Sequence, residues 1–327
     1  MPGAGLKDWR NPLGGPRVRR LTTSRRTDYG LVILASTIWG TSFPVIRVTV
    51  GEGGAVDPLL LTLLRLGLGA LVGTAFLAAT RRLGASIFRN RYVWILGALN
   101  AASFDLQHLG EVYTTASKTA LLVNVNVVFV AILMVALYRE RMTAGKALGV
   151  TLGVAGVAVL ATRLDLGFLA GGELLGDVAV FLSGLLWSVY IITTKRMIDR
   201  GGDYIALTVG VLATTALFAA FVLPFADLSR PISATGWAGV LWLGLLTTFP
   251  PLVLWTKSLY AVSPTVSSVL LLNEVAVASL LSILFLGEPF ALYFVAGGAL
   301  ILAGAWMASR APGTAAAATG AGPKDAG

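Results

Sequence analysis

Four ionisable side chains, Arg65, Asp105, His108 and Glu274, stand inside strongly apolar runs of the sequence. Near the centre of a bilayer such a group costs about 2.5 to 3.5 kcal/mol to insert, so it normally faces a cavity or a partner. Arg65 can hold an anionic group of a solute or pair with a carboxylate, and pairing comes first because an unpaired buried charge is costly. Asp105 and His108 are three residues apart and share a helix face, with Gln107 beside them. They can bind a solute, relay a proton or form a network with Arg65, which they are expected to meet. His108 is the single histidine, and its ordinary pKa of about 6.5 would let it switch near neutrality, although a lone histidine is more often a packed side chain. Glu274 lies near the middle of its run beside Asn273 and is the leading candidate for a carboxylate that contacts solute or loads a proton.

Uncharged candidates surround these four. Asn124, Asn126 and Asn273 sit deep enough to line a cavity, or equally to act as interhelical glue worth about 0.6 kcal/mol each. Trp39, Trp187, Tyr190 and Trp255 offer flat walls to an aromatic or amphipathic solute, yet Trp and Tyr also anchor helices at membrane interfaces. Gly145, Gly149 and Gly153, like Gly69 and Gly73, have the spacing that lets helices approach closely; packing within the chain is the first reading and a homodimer contact the second. Glu111 and Lys118 fall at the ends of apolar runs and are expected to face water. Glu140 and Glu288 recur at equivalent places and suit a structural role, accepting bonds from the following helix N-terminus.

The elements that must position these residues are transmembrane helices. Of 327 residues, 56% are hydrophobic and only 13% charged, with a mean hydropathy of +0.80; soluble domains carry about 25% charged residues. A span needs roughly 20 apolar residues. Ten are expected: 29–50, 58–80, 92–113, 115–137, 143–162, 174–196, 204–224, 236–255, 262–285 and 290–309. Asp57-Pro58 supplies an N-cap followed by a first-turn proline. With the N-terminus inside, 20 of the 25 lysines and arginines fall on the cytosolic side, which sets both termini in the cytosol of a cell inner membrane. The net charge of +9 is therefore spread along membrane edges, and no nucleic-acid partner is implied. Residues 1–28 read as a basic cytosolic tail and 310–327 as a second tail, both expected to be disordered.

Shifting the sequence by 148 residues aligns Trp39 with Trp187, Trp94 with Trp242, Glu140 with Glu288, Gly149 with Gly297 and Gly156 with Gly304. Residues 29–162 and 174–309 are thus two related five-helix repeats, joined by 163–173. An odd number of spans per half inverts the second repeat, a construction common in secondary transporters. Enzyme signatures are missing: no H-E-x-x-H pair, no G-x-x-x-x-G-K-[ST] loop, no G-x-S-x-G elbow and no cysteine. No cofactor or metal is expected.

Several features together resemble a known family. They are Trp39-Gly40-Thr41-Ser42-Phe43, Arg65, Tyr113 with Ala116 and Ala120, and Arg139-Glu140-Arg141 in the first half. In the second half they are Trp187, Tyr260 with Ser263-Pro264, Glu274 and Gly287-Glu288-Pro289. The chain resembles EamA-type ten-helix permeases of the drug/metabolite transporter superfamily. The resemblance implies a central cavity shared by spans 1 to 4 and 6 to 9. The family's usual mid-helix prolines are replaced by Val127 and Val275, so spans 4 and 9 are expected to be straighter than is typical. The function expected is secondary transport of a small organic metabolite, such as an amino acid, by alternating access coupled to protons or a counter-substrate. A channel is the rival reading, and a membrane enzyme ranks last.

This topology predicts that single cysteines placed at Arg89 and Gly171 label from opposite sides of the membrane. Labelling from the same side would contradict the inverted arrangement.

Overall fold

The computed structural model describes residues 25–51, 55–138, 143–162, 173–288 and 291–310. The expectations for the two tails, the connecting loop and Arg139-Glu140-Arg141 lie outside these residues. The described chain is helical throughout its regular elements. Helices α1 (Arg25–Gly40) and α2 (Ser42–Val50) lead into α3 (Pro58–Ala79), a 3-10 turn (Ala85–Arg89) and α4 (Arg91–Glu111). Then come α5 (Ala116–Val123), α6 (Asn126–Tyr138) and α7 (Ala144–Thr162). The remainder is α8 (Glu173–Asp199), α9 (Tyr204–Val222), α10 (Ala234–Leu241), α11 (Phe249–Ser258), α12 (Pro264–Leu271), α13 (Asn273–Leu286) and α14 (Leu292–Arg310).

Seven helical runs among the described residues are long and apolar enough to cross a membrane: 27–50, 58–79, 116–137, 173–199, 204–225, 234–258 and 264–286. Helix α4 has 21 residues, but Asn100, Asp105, Gln107 and His108 lower its hydropathy. Polarity is arranged inside out. Leu71, Phe221, Phe225, Phe285 and Leu292 are exposed, whereas Arg65, His108, Lys118, Asn124 and Asp177 are buried. Such a surface suits a hydrocarbon solvent, where buried polar groups must find partners within the protein.

Helix starts follow local chemistry. The Asp57 carboxylate accepts from the Leu59 and Leu60 amides ahead of α3, and Ser263 accepts from Val266 ahead of α12. Small residues then let the rods touch. A Cβ on Gly304 of α14 would lie 2.5 Å from the Gly149 carbonyl of α7, so the glycine spacing of α7 serves packing within the chain. Gly69 and Gly73 of α3 likewise meet Thr248 and Phe249.

Four of the long runs are interrupted. Between α1 and α2, Thr41 and Ser42 hydroxyls donate to the Ile38 and Trp39 carbonyls, just before Pro44. Between α10 and α11, a π-helical turn at Trp242–Leu246 precedes Pro250 and Pro251, and the Thr247 and Thr248 hydroxyls both donate to the Leu243 carbonyl. The other two breaks overturn the expectation of straighter helices at Val127 and Val275. Spans 4 and 9 break at Asn124–Val125 and at Leu272 without a proline. The Asn124 and Asn126 amides donate to the Ala120 and Val123 carbonyls, offering the backbone an alternative to helical bonding. The local amides tighten to three-residue bonds, such as Val125 to Leu122 and Val275 to Leu272.

Candidate functional site

Three of the breaks border one interior cavity of about 40 Å³, and the α10–α11 break touches it only through the Thr247 and Thr248 bonds to Arg65. Trp39 and Ser42 reach it from the α1–α2 break, and Glu274 from the first turn of α13. Close approach of α1 to α13 places them together: a Cβ on Gly40 would stand 2.9 Å from the Glu274 carbonyl oxygen. Arg65 of α3 and Phe104 and Gln107 of α4 complete the polar and aromatic lining, with Trp187 of α8 opposite.

Arg65 is 2% exposed, and each nitrogen of its fork is engaged. Nε donates to Thr248 Oγ1 at 3.4 Å, Nη2 to Thr247 Oγ1 at 3.3 Å, and Nη1 reaches His108 Nε2 at 3.3 Å. Its Cζ lies 4.6 Å from the Phe104 ring centroid. Because the Thr62 hydroxyl donates to the Pro58 carbonyl at 3.2 Å, its 2.8 Å bond with His108 Nδ1 is best satisfied with Nδ1 as donor. Nε2 is then left as the acceptor for Arg65. This assigns His108 a neutral, positioning role. A guanidinium has five N–H donors, so two remain for a ligand.

Glu274, 6% exposed, accepts from Asn124 Nδ2 at 2.5 Å through Oε1. One cavity therefore presents a guanidinium and a carboxyl. Its apolar wall is an aromatic cluster. Trp39 meets Trp187 edge to face with centroids 6.3 Å apart, and Trp187 stacks on Tyr190 at 4.5 Å. Trp255 packs 6.2 Å from both tryptophans, and Trp39 Nε1 donates to the Thr247 carbonyl at 3.0 Å.

Other expected site residues lie elsewhere. Tyr190 backs Trp187 and does not line the cavity. Asn273 donates to Ser36 and Thr37, tying α13 to α1, and Asn126 caps the broken turn. Asp105 makes no ion pair with Arg65; its Oδ1 is buried without a partner. Two expectations fail outright. Lys118 and Glu111 do not face water: Lys118 is 2% exposed and paired with Asp177 at 2.5 Å, and Glu111 is fully buried. Glu288 does accept from a helix N-terminus, through the Ala116 and Ser117 amides of α5. Sequence reasoning also missed Phe43, Ser103, Phe104, Thr247 and Thr248. Phe43 stands four residues from Trp39, and Phe104 four from His108, spacings that mark a shared helix face.

A wider vestibule of about 1020 Å³ lies near Arg47, Asp57, Leu109, Val112, Asp227 and Arg230. In its loop, the Asp227 carboxyl is held below the ordinary carboxylate range by bonds from the Ser229 hydroxyl and amide.

A family model described as the EamA-like transporter family matches residues 27–162 and again 174–310. An uncharacterized transporter of Archaeoglobus fulgidus is 27% identical over 294 residues, covering 85% of this chain and 95% of the relative. A probable terminal-alkyne amino-acid exporter of Streptantibioticus cattleyicolor is 29% identical over 290 residues, covering 85% and 92%. The aromatic amino acid exporter YddG of Ancylobacter novellus is 26% identical, covering 64% and 72%. One crystal structure shares the fold with a TM-score of 0.66 at 21% identity, covering 88% of this chain and 100% of its own.

The geometry predicts that a double-mutant cycle on Arg65→Ala and His108→Ala, read by chemical denaturation, shows coupling of about 1 kcal/mol or more. The cycle with Asp105→Ala should stay within about 0.5 kcal/mol of additivity. The reverse order would contradict the network.

Proposed function

This chain belongs to the EamA-like transporter family, and from that membership we propose that it exports a small zwitterionic amino acid with an apolar or aromatic side chain by alternating access. The observation that carries the proposal is the presence of Arg65 and Glu274 in one cavity walled by Trp39, Phe104 and Trp187. The free donors of the guanidinium suit an α-carboxylate, the Glu274 carboxylate suits an α-ammonium, and the flat rings suit the side chain. The printed names of two relatives, both amino-acid exporters, support the substrate class and the direction.

The architecture proposed is ten spans in two inverted five-helix repeats, with α4, α7 and α14 joining the seven longer apolar runs. The twofold match of the family model supports it, as do the breaks at Asn124 and Leu272, which coincide under the 148-residue offset. The basic residues on one side support cytosolic termini in the inner membrane. A 40 Å³ cavity holds only a few waters, while small-molecule sites occupy about 300 to 1,000 Å³. The site must therefore widen to load, and the four interrupted runs around it are where backbone can move at least cost. Glu274, a carboxylate whose counterpart under the repeat is Asn126, is proposed to couple a proton or a counter-substrate to that motion.

Transport in proteoliposomes by the wild type and by Glu274→Gln tests this. The substitution keeps shape and removes both charge and titration, so export of L-phenylalanine should fall at least tenfold and lose its pH dependence. Full activity with unchanged pH dependence would overturn the role of Glu274.

A further inference from the structure

Glu111 closes α4, and neither of its carboxyl oxygens has a hydrogen-bond partner although the residue is fully buried. The other acids at this end, buried Asp177 and half-buried Glu288, are engaged. Asp177 of α8 holds Lys118 of α5 at 2.5 Å and accepts from Thr114, and Glu288, beyond α13, accepts two α5 amides. Arg47 of α2 is the nearest candidate to neutralise Glu111. Its Nη1 instead donates to the main-chain carbonyls of Glu111 and Val112, at 3.0 and 2.9 Å. The remaining charges acting on Glu111 are Arg65 of α3 and Glu288, and its own helix adds Asp105 and His108. Helix α9, also packed on α4, carries no charged residue.

Position sets this orphan between two cavities. Arg47, Leu109 and Val112 line the vestibule, whereas Gln107, one turn before Glu111, lines the central cavity. Glu111 thus stands in the layer that separates the two. An ionised carboxylate sealed there without a partner is strongly disfavoured, and ionisable groups at such places in membrane proteins mark proton pathways.

We propose that Glu111 is a proton-binding site of the transport cycle, distinct from Glu274. In the closed conformation one carboxyl oxygen carries a proton taken from a hydronium ion of the vestibule, whose O–H bond breaks to leave water as the carboxylic acid O–H bond forms. When the Arg47 end opens, that bond breaks, the proton returns to water and the hydrated carboxylate becomes available to Arg47. The inference rests on the transporter reading but not on the identity of the solute.

The test therefore uses no substrate. In the full chain reconstituted in liposomes near neutral pH, the infrared C=O band of a protonated carboxylic acid should lose a component in Glu111→Gln and shift it in Glu111→Asp. With Val48→Cys as the only thiol, lining the vestibule, labelling is normalised to the same thiol in unfolded chain. It should rise with pH in the parent and stay low and flat when Glu111→Gln is added. Should that variant fail to fold, Glu111→Asp carries both readouts. An unchanged infrared band, or a pH response that survives in Glu111→Gln, overturns the proposal. Failure of amino-acid transport with both readouts intact would instead count against the substrate alone.

Discussion

A guanidinium sealed inside an apolar bundle must be surrounded by acceptors or it destabilises everything around it, and the centre of this protein is organised by that requirement. Arg65 draws Thr247 and Thr248 from the start of α11, His108 from α4 and the face of Phe104 into one shell. His108 is in turn fixed by Thr62. Three helices are thereby held in register by a single side chain, and its two uncommitted donors face the need of a ligand. Glu274 is held independently by Asn124, so the two charges stay apart across the cavity and do not cancel in a direct bond. The zwitterion proposed above would bridge them.

The second constraint is that a helix interrupted in a membrane exposes backbone groups that no solvent can satisfy. Three of the four breaks are repaired by short polar side chains next to them: Thr41 and Ser42, Asn124 and Asn126, Thr247 and Thr248. These repairs also deliver the site. The turn that frees Asn124 lets it hold Glu274, and the turn at Thr247 supplies both an Arg65 acceptor and the carbonyl that anchors Trp39. Helices α7 and α14, joined glycine to glycine away from the cavity, need no such devices.

Hydropathy makes the apolar runs legible because the bilayer imposes their length, and Asp57-Pro58 marks a helix start through local capping alone. Arg65, Glu274, Trp39 and Trp187 are legible as candidates for the same reason: a charge or large ring deep in an apolar run has few places to go. What stays hidden depends on tertiary contacts. Glu111 and Lys118 sit at span ends, where one chain in isolation would meet water, but α5 and α8 cover them. The threonines beside Arg65 carry no unusual signal, since threonine is ordinary in membrane helices. The break at Asn124 is illegible because proline is the familiar cue for a kink, while side-chain bonding to the backbone produces the same outcome without one.

If Arg65 and Glu274 form the recognition site, the cavity reads both ends of an amino acid. Calorimetric titration of the purified protein with L-phenylalanine, phenethylamine and 3-phenylpropionate measures this directly, because each analogue removes one charged group and keeps the ring. L-phenylalanine should bind, and each analogue should bind at least about tenfold more weakly, the cost of leaving one buried partner unmatched being about 1.4 kcal/mol or more. Equal binding of all three, or binding by neither the amino acid nor its analogues, would contradict the pairing of Arg65 and Glu274 as the recognition site.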